Sequence, residues 1–503
     1  MRALLQSPHA ASAAALLAGA LTVAGYAPLA VFPLPFLTLA GLLLLWRRAA
    51  TPRAAFRMGF AFGAGVFGAG ASWVYVSLHD FGMMPAPLAA IGTLAYCAIL
   101  ALYPAAAGWC FARLARAPLA SALFAFPAAW TLFEWLRGWV FTGVPWLALG
   151  YSQVDSPLSG LAPLIGVYGV SFATVLCAGL LVVVATGSPK ARIASGIALA
   201  FAFGLGQLLK QIEWTSPRGA PLWVALLQGN IPQDLKFKAD RYAMTLSIYK
   251  RLIEASKGRL VVLPETAIPR FLDAVDPNYL EDIERIAAER RADVLIGVPI
   301  RDPDGRYFNS VISVGASPSQ RYDKSHLVPF GEFVPAGFGW VVKTFAIPLS
   351  DFSLGTANPR PLALAGQLVA PNICWEDAFG EEIIRQLPEA SLLVNVSNVA
   401  WFGDSLAPAQ HLQISRMRAL ETGRAMLRAT NTGMTAIIDP HGEVVARLPQ
   451  FAEGVLEGEV QGHSGATPYV RVGNYPIVLA CLALIAALVF RRVRIVGRAE
   501  ESR

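Results

Sequence analysis

Charge is scarce in this chain. Only 15% of its 503 residues are Asp, Glu, Lys or Arg, while 55% are hydrophobic; ordinary soluble domains carry about a quarter charged. With a mean hydropathy of +0.49, a wholly soluble protein is excluded. Metal signatures are missing too. No H-E-x-x-H or C-x-x-C occurs, and His326 and His411 do not form a ligand pattern, so neither a metal nor another cofactor is expected. Cysteine is sparse, with five residues. Cys97, Cys110, Cys177 and Cys481 fall in apolar runs, where a thiol is usually a small filler. Cys374 alone lies elsewhere.

The apolar residues are unevenly placed. Runs long enough to cross a bilayer, which takes about 20 residues, lie near 8–26, 28–46, 56–78, 87–112, 117–136, 160–187, 191–210 and 474–490. That predicts about eight spans. Lys and Arg are absent from alternate connections such as "HDFGMMPAP" and "TGVPWLALGYSQVD". They gather instead at Arg2, at Arg47 to Arg57, at Arg113 and Arg116, at Lys190 and Arg192, and at Arg491 to Arg498. Basic residues near span ends stay cytoplasmic, so by parity the polar block between spans seven and eight faces away from the cytoplasm. Arg2, an Ala/Leu core and "GYA" also fit a signal peptide, which leaves the side of that block unchanged. The net charge of +7 is largely this topological signal and calls for no nucleic acid.

Between Pro221 and Gly458 short β-rich runs alternate with helical ones, implying a layered α/β domain. "LWVALLQ", "RLVVLPE", "DVLIGVPI", "YFNSVISVG", "QLVAPNIC" and "SLLVNVSN" read as strands, and "TAIIDPHGEVVARL" reads as a hairpin. Three strand ends carry chemistry. Glu265 follows "LVVLP", Lys324 lies in "RYDKSHLVPFGE", and Cys374 ends "LVAPNIC". A free thiol with a pKa near 8.5 is only a few per cent thiolate at neutral pH and needs a base to attack a carbonyl quickly. Glu265 is the expected base, provided its apolar flank raises its pKa from about 4.3. Lys324 is the expected partner of a developing oxyanion, helped by the backbone N–H after the cysteine.

Taken together, "LPETAIP", "KSHLVPFGE" and "NICWE" resemble the Glu, Lys and Cys motifs of the nitrilase superfamily. "EWLRGWVFTGVPW", "QGNIPQDLKF" and the long stretch beginning "NVSNVAWFGDS" narrow the resemblance to its membrane-embedded branch, the apolipoprotein N-acyltransferase family. The resemblance implies a membrane α-helical bundle plus an αββα sandwich. Its expected domains are a transmembrane part over 1–212, a periplasmic catalytic domain over 218–472, a transmembrane helix over 473–492 and a cytoplasmic basic tail over 493–503. It implies a monomer in the bacterial inner membrane that takes an acyl chain from a phospholipid, usually phosphatidylethanolamine. The chain is held as a thioester on Cys374 and passed to the α-amine of a diacylglyceryl-cysteine, the last step of lipoprotein maturation. Glu332 and Glu376 match further acids of the family. Trp375 and Phe237 stand where Tyr and Trp are common, and Val399 replaces an acid. Eight spans exceed what an anchor needs, so they are expected to form a lipid-binding vestibule. The rival reading is a membrane-tethered amidase that hands its thioester to water.

Other motifs have plainer readings. "GAGVFG" at 63–68 matches a dinucleotide fingerprint but sits inside an apolar run, where Gly59 and Gly63 suit close helix approach. Glu134 and Arg137, three apart, are expected either to pair or to meet a lipid headgroup. Arg416, Arg418 and Arg424 read as a solvated or structural helix face. Asn395 opens an N-x-S sequon. The Gly- and aromatic-rich stretch from Phe330 to Gly355 is an expected mobile lid.

Overall fold

Helices form over all eight apolar runs, in a computed structural model that describes residues 7–114, 119–334 and 351–501. Contacts divide the chain into two units. One comprises Met1–Tyr75, Pro87–Ile212 and Arg471–Arg503, and the other Val76–Ala86 and Glu213–Val470.

The first unit is helical: Pro8–Thr22, Leu34–Arg47, Pro52–Gly70, Ala86–Leu114, Leu119–Arg137, Ala162–Thr186, Pro189–Leu209 and Tyr475–Glu501. Among the described residues four helices are long and apolar enough to cross a membrane, or five if the bent pair Pro52–Gly70 and Trp73–Phe81 counts as one. The expected third span, 56–78, is interrupted after Gly70. Its glycines serve packing, as their spacing suggested. A Cβ on Gly59 would lie 2.4 Å from the Pro104 carbonyl oxygen, and one on Gly63 would lie 2.8 Å from the Ala101 Cα. Only glycine lets these backbones approach so closely.

Glu134 and Arg137 are both buried and form no ion pair with each other among the described residues. Glu134 Oε1 accepts from the Leu149 N–H at 2.9 Å and from Trp130 Nε1 at 3.3 Å. Arg137 donates to the carbonyls of Val144 and, at 2.6 Å, Trp146. Each therefore pins the irregular segment after its own helix, because buried backbone groups need partners.

The second unit is built on two six-stranded sheets. Its strands are β1 Ser216–Pro217, β2 Leu222–Gln228, β3 Leu260–Val262, β4 Asp293–Arg301, β5 Tyr307–Gly315, β6 Arg321–Asp323 and β7 Leu362–Leu364. They continue with β8 Gln367–Ile373, β9 Leu392–Ser397, β10 Met426–Thr430, β11 Ala436–Ile438, β12 Val444–Arg447, β13 Gly454–Val460 and β14 His463–Ser464. The sheet orders are β13-β2-β3-β4-β5-β6 and β12-β11-β10-β9-β8-β7, with β1 and β14 forming a separate pair. In each large sheet the three consecutive strands β2, β3, β4 or β8, β9, β10 run parallel.

Alternation along these strands makes the layers. Val224, Leu226, Val262, Val369, Ile373, Val394 and Leu427 face one shared core between the sheets. The intervening Ala225, Leu227 and Val261 meet the helices Tyr242–Ala255 and Pro277–Glu289 on one outer face. Leu393 and Met426 meet Leu412 and Ala419 of the helix Ala407–Thr422 on the other. Parallel strands covered on both faces read as continuous apolar runs, which is why β4, β8 and β9 were legible. The layers are those of an αββα sandwich.

Candidate active site

Glu265, Lys324 and Cys374 each sit just beyond a strand, after β3, β6 and β8. Parallel β3 and β8 end at the same rim of the sandwich, so their following residues converge there. Lys324, almost fully buried, places Nζ 2.9 and 2.8 Å from the two oxygens of Glu332 and 3.6 Å from Glu265 Oε1. Asn309 on β5 joins the acids, its Nδ2 donating to Glu265 Oε1 at 2.7 Å and to Glu332 Oε1 at 2.8 Å. The other oxygen of Glu265 accepts from the Asn398 N–H at 2.9 Å.

These contacts overturn one expectation. Burial does push the Glu265 carboxyl up, but Lys324, Asn309, Lys236 and the Asn398 N–H outweigh it and hold the pKa below its ordinary value. Glu265 is therefore ionised in the resting site. Lys324 is shifted the other way: burial lowers its pKa, and Glu332 and Glu265 more than restore it. Cys374 is held as a thiol, since burial and the nearby Glu265 push its pKa well up despite Lys324.

Cys374 occupies a left-handed backbone conformation, φ 58°, unfavourable for a side chain with a Cβ and kept only where surroundings impose it. Its carbonyl accepts from Asn395 Nδ2 at 2.8 Å. In a planar trans peptide the following N–H points the opposite way, and the Trp375 N–H is accordingly turned toward the thiol. Asn395 is thus wholly engaged inside the sheet, where it also bonds Asn372 and Arg428. Its sequon has no bearing on the surface.

Glu376 makes no hydrogen bond to Glu265, Lys324 or Cys374 among the described residues. It is buried and clamps the loop after Lys324 to the end of β8. Oε1 accepts from the Ser325 N–H at 2.6 Å, its hydroxyl at 2.9 Å and the His326 N–H at 3.0 Å. Oε2 accepts from Tyr322 at 2.9 Å and the Ile373 N–H at 2.6 Å. Trp375 donates its indole N–H to the His326 carbonyl at 3.1 Å and packs edge-on against His326 and Phe379. Phe237 is 44% exposed, and Val399 is buried. Most of the expected lid, 335–350, lies outside the described residues.

The comparisons with known proteins agree with one another. Residues 18–180 match the family described as the apolipoprotein N-acyltransferase N-terminal domain, and residues 223–469 match the carbon-nitrogen hydrolases. An apolipoprotein N-acyltransferase of Nitrosomonas europaea is 51% identical over 94% of this chain and 95% of its own. The chain belongs to the apolipoprotein N-acyltransferases. A second member, from Chromobacterium violaceum, is 48% identical over 94% of this chain and 92% of its own. Among solved structures, the C. elegans NitFhit protein is 18% identical with a TM-score of 0.38, covering 50% of this chain and 62% of that one. Its membership of the apolipoprotein N-acyltransferases and its apolar helices make this acyltransferase a bacterial membrane protein.

Four residues around Glu265 and Cys374 are not singled out by the sequence as site residues: Lys236, Asn309, Asn395 and Asn398. Lys236 lies in "QGNIPQDLKF" and Asn395 and Asn398 in "NVSNVAWFGDS", stretches that carry the resemblance without a role for these positions, and Asn309 lies inside a strand run. Arg418 and Arg424 correct the solvated part of their reading, since both are buried. Arg424 lies past the helix end and donates to the carbonyls of Ala390 at 2.8 Å and Gly465 at 2.7 Å.

Proposed function

We propose that this N-acyltransferase works by a two-step transfer in which Cys374 is the nucleophile, Glu265 the base and Lys324 the oxyanion partner. The observation that carries the proposal is Glu265 and Lys324, 3.6 Å apart, set beside the Cys374 thiol on a strained elbow. In the first step Sγ attacks the ester carbonyl of a phospholipid, phosphatidylethanolamine being the expected donor. The C–S bond forms as the thiol proton passes to Glu265. That proton then goes to the departing glycerol oxygen as the ester C–O bond breaks. In the second step the α-amine of a diacylglyceryl-cysteine attacks the thioester, the C–N bond forms and the C–S bond breaks. The amine proton returns through Glu265 to sulfur.

Because the resting thiol holds its proton against an already ionised base, proton transfer is coupled to attack rather than completed beforehand. Lys324 and the Trp375 N–H are suited to the oxyanion by charge and direction. Glu332 and Asn309 hold Lys324 and Glu265 in register, and Glu376 holds the loops that carry Lys324 and Cys374. Phe237, being exposed, is proposed to meet lipid.

The finer topology belongs to the same proposal: a monomer in the inner membrane, eight spans enclosing a lipid vestibule, and a catalytic domain over 218–472 on the periplasmic side. The connection after the third apolar run, free of Lys and Arg, supports that side. It joins the catalytic unit, with Ser77 donating to the Trp401 carbonyl at 2.9 Å and Phe81 set edge-on to Trp401.

Intact-mass spectrometry of the full-length protein with phosphatidylethanolamine tests the mechanism. A hydroxylamine-labile acyl mass on Cys374, discharged by an acceptor lipopeptide, is expected. Active protein with no such adduct would remove the covalent route, and discharge to water alone would favour the amidase.

A further inference from the structure

The short helix Gln233–Lys236 brings a second lysine to the catalytic rim. Lys236 is buried, and its Nζ donates to the Glu265 carbonyl at 3.1 Å. An ammonium has three donors, and this is the one hydrogen bond the Lys236 ammonium makes among the described residues. Burying a cation so incompletely bonded is costly unless an anion lies close. The charged or ionisable groups that act on it are Glu265, from the segment after β3, and Cys374, from the end of β8. Its own chain neighbours Asp234 and Lys238 are exposed.

The charge balance of the site depends on this residue. Glu265, Glu332 and Lys324 alone carry one negative charge in excess, and in the proposed transfer that charge passes from Glu265, as it takes the thiol proton, to the substrate carbonyl oxygen. Lys324 cannot serve both acids equally, since it bonds both oxygens of Glu332 and stands 3.6 Å from Glu265.

We propose that Lys236 is a positioning residue of the acyltransferase, a second cation that fixes the backbone of the base, keeps Glu265 ionised until it takes the thiol proton, and balances the one excess negative charge as it moves to the oxyanion. This rests on Glu265 as base and Cys374 as nucleophile. It also has a consequence for alkaline pH. Burial lowers the Lys236 pKa to about 8, with Glu265 and Cys374 acting in the opposite sense, so its charge fades at mildly alkaline pH. An arginine would keep it.

The test is the rate of acyl-thioester formation on full-length protein in phosphatidylethanolamine micelles, followed by intact mass across pH. Lys236→Met should slow the step at pH 7 by roughly tenfold or more, and should move its acid limb upward, because a carboxylate that loses a cationic neighbour titrates at higher pH. Lys236→Gln keeps a donor for the Glu265 carbonyl without the charge and should share both effects. Lys236→Arg should keep most of the neutral rate and carry activity further into alkali than the natural protein. Wild-type profiles for the Met and Gln variants would overturn the proposal. So would a uniform loss with unmoved limbs, which a merely structural role would give. Cys374→Ala is the separate control: transfer surviving in it would overturn the underlying mechanism, whereas its silence beside a normal Lys236→Gln profile would overturn the role of Lys236 alone.

Discussion

Replacing Glu376 by Gln separates a structural clamp from a participant in chemistry. The carboxylate accepts hydrogen bonds at both oxygens from Ser325, His326, Tyr322 and Ile373. A glutamine must turn an NH2 toward one group of these donors. If it replaces Oε1, the N–H groups of Ser325 and His326 lose their acceptor; if it replaces Oε2, Ile373 does, although the Tyr322 hydroxyl can rotate. One orphaned buried N–H costs about 1–3 kcal/mol, and weakening the remaining charge-assisted bonds adds roughly 1 kcal/mol. The sum is about 3 kcal/mol. For a unit of this size each kcal/mol moves Tm by about 2–4 °C, so the variant should unfold about 6–12 °C lower. The assay is the apparent unfolding temperature of the full chain in detergent at one fixed scan rate, since membrane proteins often unfold irreversibly. Acyl transfer should also fall, because Lys324 and Cys374 lie beside the clamped loops. A variant that is inactive yet unfolds with the natural protein would refute the reasoning and place Glu376 among the reacting groups.

Asn309→Leu removes the shared donor between Glu265 and Glu332. Hydrogen bonds to charged groups contribute about 1.5–3 kcal/mol, so thioester formation should slow roughly tenfold to a hundredfold and its acid limb should move to higher pH; an unchanged limb would exclude Asn309 from tuning the base. Glu265→Gln should abolish thioester formation, and its stability should depend on pH in a defined direction. The folded-state pKa of Glu265 is depressed, so its contribution is present above the unfolded value of about 4.3 and is lost as pH falls through the folded value. Any gap in Tm between natural protein and variant should therefore be wider at pH 7 than at pH 3, and a gap independent of pH would contradict the assignment.

Much of this protein is determined locally. Runs of apolar residues specify helices over all eight segments, and runs dominated by Val, Ile and Leu specify β2, β4, β8 and β9, because a strand covered on both faces has little polar side to display. The motifs around Glu265, Lys324 and Cys374 were legible for the same reason that they are motifs: the proposed reaction demands those residue types beside strand ends. Short strands such as β6 and β7, at three residues each, were missed, since so few residues establish no period and their partners supply the stability. The direction of the Glu265 pKa shift was also beyond the sequence. Its apolar flank predicts burial, and burial occurs, yet Lys324, Asn309 and the Asn398 N–H arrive from distant positions and reverse the result. Lys236 and Asn395 show the same limit. One went unremarked inside "QGNIPQDLKF" and the other looked like a glycosylation signal, until folding set the first against the Glu265 carbonyl and the second under the Cys374 carbonyl. Local pattern chooses the elements and names the chemistry, while the tertiary structure decides which charges share a buried space, and Coulomb energy depends on distance in that space rather than along the chain.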